Sequence, residues 1–178
     1  MRLTLHEHPR GVETEAGPRI VYDLDRNEAW LGAARVSGPA LVWELGGDGV
    51  GAALTADVEL DPAAGWVARC DRVDFPPGGI AHRHVHPGPG IRRLLHGRLT
   101  VDADGVEQTF GPGEAWFEGD DHPVLATASP SEDTAFVRLL LLPRGWQGKR
   151  TIRYLDPADE EKPRLQRATI LLEEALEL

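Results

Sequence analysis

Short apolar runs recur along this chain, each closed by a turn rich in glycine, proline or aspartate. Residues 40–45 run into Gly46-Gly47-Asp48-Gly49, residues 66–75 into Pro76-Pro77-Gly78-Gly79, and residues 91–101 into Asp102-Ala103-Asp104-Gly105. Residues 106–110 end at Gly111-Pro112-Gly113, and residues 134–142 end at Pro143. Long helices do not survive such punctuation, whereas strands of a sandwich or barrel do. The 20 glycines and 14 prolines are dispersed rather than periodic, which excludes collagen and leaves a turn-rich β fold. Two segments also admit helix. Residues 156–161 suit a single turn with Pro157 at its first position. In the tail, Ala168, Leu171, Leu172, Ala175 and Leu176 fit a helical stripe, while Ile170-Leu171-Leu172 fits a buried strand. The strand reading is preferred because the rest of the chain is β.

At 178 residues the chain suits one domain, read as a polar N-terminal arm (1–18), a barrel domain (19–155) and a C-terminal tail (156–178). Hydrophobic residues at 41% suffice for a core. A net charge of −10 repels phosphate backbones and anionic lipid, so neither nucleic acid nor membrane is an expected partner. Cys70 has no second cysteine to pair with, and it reads as a buried structural thiol of a reducing compartment. No apolar run after Met1 suits a signal peptide, and the stretch 139–142 is too short to span a bilayer. The expectation is a cytoplasmic protein.

His82, His84 and His86 alternate. In an extended strand alternate residues share a face, so three imidazoles are expected to point one way. Neutral imidazole is the commonest metal ligand. The same alternation also suits a solvent-facing polar strand or a hydrogen-bonded histidine ladder inside a barrel.

The surrounding spacing is more specific. Gly78, five residues, His84-Val85-His86, three residues, Gly90, six residues and Gly97 resemble the first motif of the cupin family, with Gly90 where the family has glutamate. Gly105, Pro112, Gly113 and His122 resemble its second motif, over a shortened spacing. The resemblance covers roughly residues 65–143. It implies an all-β cupin double-stranded β-helix, a jelly-roll barrel, with extra strands from residues 19–60 extending one sheet. It also implies a divalent transition metal (iron, manganese, nickel, copper or zinc) held by His84, His86 and His122. Glu118 and His82 are the candidates to complete that set. The activity implied is that of a dioxygenase-type oxidoreductase acting on a small organic substrate, with an anionic one among the candidates. The alternatives are a cupin isomerase or lyase with histidine as base, and a non-catalytic small-molecule binder without tight metal. Small cupins are commonly dimers, so a homodimer is expected, with residues 170–178 docking on the barrel or on a partner subunit.

Arg92 lies two residues from Gly90 and so shares its inward face, where a guanidinium would suit a carboxylate or phosphate. The alternative is a surface pair with one of the many acids; Arg93 is expected to face the other way. If residues 114–118 form a strand, Glu114, Trp116 and Glu118 share a face, which makes Trp116 a candidate pocket wall. The pair His6 and His8 falls in the expected arm and is discounted, and His96 is read as a surface hairpin residue. No serine sits in a Gly-x-Ser-x-Gly elbow, and residues 46–51 read as a hairpin turn rather than a phosphate loop.

Overall fold

The computed structural model describes residues 1–177. Seven strands come first: β1 (Arg2–His8), β2 (Val12–Thr14), β3 (Arg19–Asp23), β4 (Glu28–Leu31), β5 (Ala34–Val36), β6 (Ala40–Leu45) and β7 (Leu54–Asp57). Ten more follow: β8 (Trp66–Phe75), β9 (Ile80–Val85), β10 (Gly90–His96), β11 (Leu99–Ala103), β12 (Val106–Phe110), β13 (Ala115–Glu118), β14 (Val124–Ala128), β15 (Thr134–Pro143), β16 (Arg153–Tyr154) and β17 (Arg167–Leu176). The only helical pieces among the described residues are short 3-10 turns. One of them, Pro157–Glu161, is started by the Asp156 carboxylate accepting the Ala158 N–H. Among the described residues no helix is long and apolar enough to cross a membrane.

The strands form three antiparallel five-stranded sheets, ordered β4-β3-β6-β1-β7, β13-β10-β15-β8-β17 and β12-β11-β14-β9-β16, with β2 and β5 paired separately. The second and third sheets make the jelly-roll barrel. Strand parity explains how the first sheet attaches. On β8, Trp66, Ala68 and Cys70 pack with Leu3, Leu5, Ile20 and Trp43 of the first sheet. Val73 and Phe75, of opposite parity, pack inside the barrel with Leu94, Leu99 and Phe136. The middle sheet is therefore covered on both faces, which is why β15 is buried along nearly its whole length and lacks a polar alternation.

Two expectations are corrected here. Residues 1–18 are not an arm, because β1 is hydrogen-bonded between β6 and β7. Its Leu3 and Leu5 are fully buried, and so is Thr4 between them, which places this stretch inside a sheet rather than in solvent. The strands of residues 19–60 do not extend a barrel sheet; they build their own, because their apolar face has the outer face of the middle sheet to cover. The tail does lie on the barrel, with β17 running antiparallel along β8 and Leu172 and Leu176 buried. Leu178, its last residue, lies outside the described residues.

Candidate functional site

Between the two barrel sheets lies a cavity of about 370 Å³. Val73, Phe75, Leu99, Val124 and Phe136 form its apolar wall, and Asp71, His84, His86, Arg92, Glu118 and Arg138 its polar one.

The histidines do not all point inward. On β9, three residues span the distance that two span on β14: His84 pairs with Val124 and Ala81 with Ala126, with a register shift between them. This bulge changes the strand's parity. Ala81 and His84 line the cavity, while His82 faces out, its Nδ1 3.9 Å from Asp159. His86, just beyond the strand, still turns inward, its ring 4.9 Å from that of His84 and edge-on to it.

His84 Nδ1 donates to the His82 carbonyl at 2.7 Å, which leaves the lone pair on Nε2. Burial lowers its pKa to about 4, against opposing pulls from Glu118 and the His82 carbonyl. The ring is neutral at neutral pH. His86 Nε2 lies 3.0 Å from Arg138 Nη1, and because guanidinium only donates, this nitrogen must accept. Burial and then Arg138 hold His86 well below the ordinary imidazole range. Arg138 in turn grips Asp71 through two hydrogen bonds of 2.6 and 3.2 Å.

A second buried pair faces the first. Gly90 and Glu118 are directly opposite in the β10–β13 ladder. The Glu118 carboxylate accepts from Trp116 Nε1 at 2.8 Å and lies 2.7 Å from Arg92 Nη2. That last contact is an ion pair without the alignment of a hydrogen bond. Arg92 Nη1 donates to the Gly90 carbonyl at 2.6 Å. Burial favours the neutral acid, yet Arg92 and the Trp116 bond outweigh it and hold the Glu118 carboxyl below its usual range. Arg92 itself is lowered to about 10 by burial and stays cationic. Arg92 is thus inward-facing and 1% exposed. Arg93 points to the first sheet, where it bonds Glu7 at 3.0 Å.

His122, expected as the third ligand, is not in this cavity. The turn after Glu118 is short, with Asp121 at a positive φ of 49° and its N–H bonded to the His86 carbonyl. His122 leaves that turn outward, 38% exposed, with Nε2 3.4 Å from Asp104. The glutamate slot is closed as well, since a Cβ on Gly90 would sit 2.1 Å from the Leu139 carbonyl oxygen.

Among the described residues no three His, Cys, Asp or Glu side chains converge as a metal-ligand group. Two imidazoles remain, and one has its lone pair on a guanidinium. The nearest carboxylates are neutralised by Arg92 and Arg138, whose charges repel a dication. The residues present do not fit a divalent transition metal, which corrects the expected His84, His86, His122 site.

Among the inner polar residues of the cavity, Arg69, Asp71 and Arg138 escaped the sequence reading. Their signal was parity. Arg69 and Asp71 share the parity of Val73 and Phe75, and Arg138 is a lone charge in the run from Ala135 to Leu142.

The neutral histidines give a testable acid limb. Unfolded, His84 titrates at its ordinary 6.5; folded, at about 4. Between those values the unfolded chain binds more protons, so stability falls as pH falls, by about 1.4 kcal/mol per unit from His84 alone. His86 acts in the same direction. Glu118, whose folded value is lowered, contributes fully above about 4.5 and loses its contribution as pH falls further. Urea titrations at stepped pH should show the loss between 6.5 and 4, flattened in His84→Gln. An unchanged slope in that variant would contradict a buried neutral His84.

Residues 71–123 match the family model described as Cupin domain. An RmlC-like cupin from Shewanella frigidimarina aligns at 18% identity over 43% of this chain and 68% of its own length, with a TM-score of 0.40. The polyketide cyclase RemF from Streptomyces resistomycificus aligns at 20% identity over 49% of this chain and 61% of its own, with a TM-score of 0.41. The DMSP lyase DddQ from Ruegeria pomeroyi aligns at 22% identity over 56% of this chain and 46% of its own, with a TM-score of 0.43. For the latter two this chain spans less than two thirds of the relative. Among curated proteins none matches the chain.

Proposed function

We propose, for this member of the cupin superfamily, a metal-free role: the barrel takes a small organic molecule between its apolar wall and two buried ion pairs. The observation that carries this reading is the Arg138 guanidinium on His86 Nε2 at 3.0 Å. That lone pair is the one a metal would need, and the bond is held in place by the grip of Arg138 on Asp71. A guanidinium here supplies directed N–H donors and a fixed positive charge to a bound polar group. His84 supplies the complementary acceptor through Nε2, and Trp116 forms part of the wall. The volume is within the range of small-molecule sites, about 300–1,000 Å³. A dioxygenase reading would need ligands for a redox metal, which this donor set does not offer.

A second reading, isomerase or lyase, is favoured by one feature. His84 is a buried neutral imidazole whose Nδ1 is fixed by its own backbone, leaving Nε2 as an oriented proton acceptor.

Metal analysis by plasma mass spectrometry tests the proposal, on purified protein and after incubation with iron, manganese, nickel, copper or zinc. The expected result is no tightly held metal and an unshifted melting temperature. Near-stoichiometric metal that disappears in a His84→Ala/His86→Ala double variant would overturn it.

A further inference from the structure

The chain carries a net charge of −10. Yet its cavity is lined by six basic residues, Arg69, Arg92, Arg138, Lys149, Arg150 and Arg164, against the acids Asp71 and Glu118. The inner cations each have a carboxylate of their own: Arg92 has Glu118, Arg138 has Asp71 and Arg69 has Glu173. The excess lies at the mouth. There Arg150 and Arg164 share one oxygen, Glu160 Oε2, at 3.0 and 2.6 Å. Lys149 forms no ion pair among the described residues.

This rim is built rather than incidental. Arg69, 2% exposed, donates to the carbonyls of Lys149 and Trp146 at 2.8 and 3.3 Å, and its Nε to Glu173 at 2.7 Å. The same Glu173 accepts the Gly148 N–H at 3.0 Å. A buried ion pair between β8 and β17 thus pins the backbone from which Lys149 and Arg150 project. Arg150 also lies over the Tyr154 ring, 5.3 Å from its centroid. On the facing side Arg164 leads into Gln166, Ala168 and Ile170, which line the cavity too. The C-terminal segment is therefore a wall of the site as well as a covering strand.

We infer that the molecule the barrel takes is an organic anion, with its apolar body between the sheets and its charged group at the mouth among Lys149, Arg150 and Arg164. The inference rests on the reading that the cavity binds a small organic molecule. A basic mouth over low-dielectric walls concentrates anions that the acidic remainder of the surface repels. The depth beyond it offers mainly apolar surface, which favours a carboxylate, sulfonate or phosphate ester on a hydrocarbon body over a small inorganic ion.

Two fluorescent probes of similar shape test this: anilinonaphthalene sulfonate and its neutral counterpart phenylnaphthylamine. The full-length protein should bind the sulfonate about tenfold or more tightly at low salt, the difference shrinking as salt rises. A Lys149→Gln/Arg164→Gln double variant should lose about tenfold in sulfonate affinity and keep its affinity for the neutral probe. Ala126→Phe, which fills the barrel, should abolish both while circular dichroism and melting report a folded chain. If that variant does not fold, Ala81→Leu serves the same purpose. Equal affinity for the two probes, or a rim variant that weakens both alike, overturns the anion inference and leaves small-molecule binding standing. Binding that survives the filled barrel overturns the inference by placing the probe on the surface. Failure of both probes to bind overturns both readings, and binding of the neutral probe alone overturns the anion inference, whereas metal found in a protein that still discriminates the probes overturns only the metal-free reading.

Discussion

Arg138→Met should destabilise the protein by about 4 kcal/mol, while the double change Asp71→Leu/Arg138→Met should cost far less. Arg138 is 7% exposed and Asp71 2%, so neither charge can turn to water when its partner is removed. The single variant leaves a carboxylate buried without its counter-ion and His86 Nε2 without its donor. The double variant removes both charges together and fills the space with apolar side chains. Urea unfolding of wild type, both single variants and the double variant gives the coupling directly. Additive losses would mean that the two groups do not depend on each other, contrary to the geometry.

Gly90→Ala should cost about 3 kcal/mol or more, and Gly90→Glu should not create a metal site. Gly90 lies inside the middle sheet, opposite Glu118 on one side and Leu140 on the other. A Cβ there would meet the Leu139 carbonyl oxygen at 2.1 Å and the Leu140 side chain at 3.1 Å. The oxygen belongs to backbone held in the ladder, so relief requires β10 and β15 to move apart. Gly145→Ala is the matched control. No atom lies within 4 Å of a Cβ built there, and its effect should stay within about 0.5 kcal/mol. Melting temperatures for the three variants, with metal uptake measured on Gly90→Glu, decide the matter. A stable Gly90→Glu protein that binds iron or zinc would contradict both statements.

Much of the architecture was legible because strand spacing and turn chemistry are local. The runs ending at Phe75, Phe110 and Pro143 became β8, β12 and β15 as spaced, and the tail became a strand although its sequence also fits a helix. Residues 1–18 were misread because polar residues flank Leu3 and Leu5, and in a short stretch that alternation resembles an ordinary polar terminus. The candidate site was legible only in part. His84, His86, Arg92, Trp116 and Glu118 do line one cavity. His82 left the set because a bulge cannot be seen in the spacing of one strand; it arises from the mismatch between β9 and β14. His122 left it because its turn is tied to the His86 carbonyl.

By itself the sequence determined the β class, the positions of the barrel strands along the chain and the spacing that sets His84 and His86 on a common face. Those properties follow from period-two patterning and glycine or proline breaks, which act over a few residues. Only the tertiary structure decided what the histidines face. Asp71 and Arg138 come from β8 and β15, and Arg92 and Glu118 from β10 and β13; each pair forms because a buried charge has no alternative to its nearest opposite. That pairing, rather than the His-x-His spacing, sets the chemistry the cavity can perform.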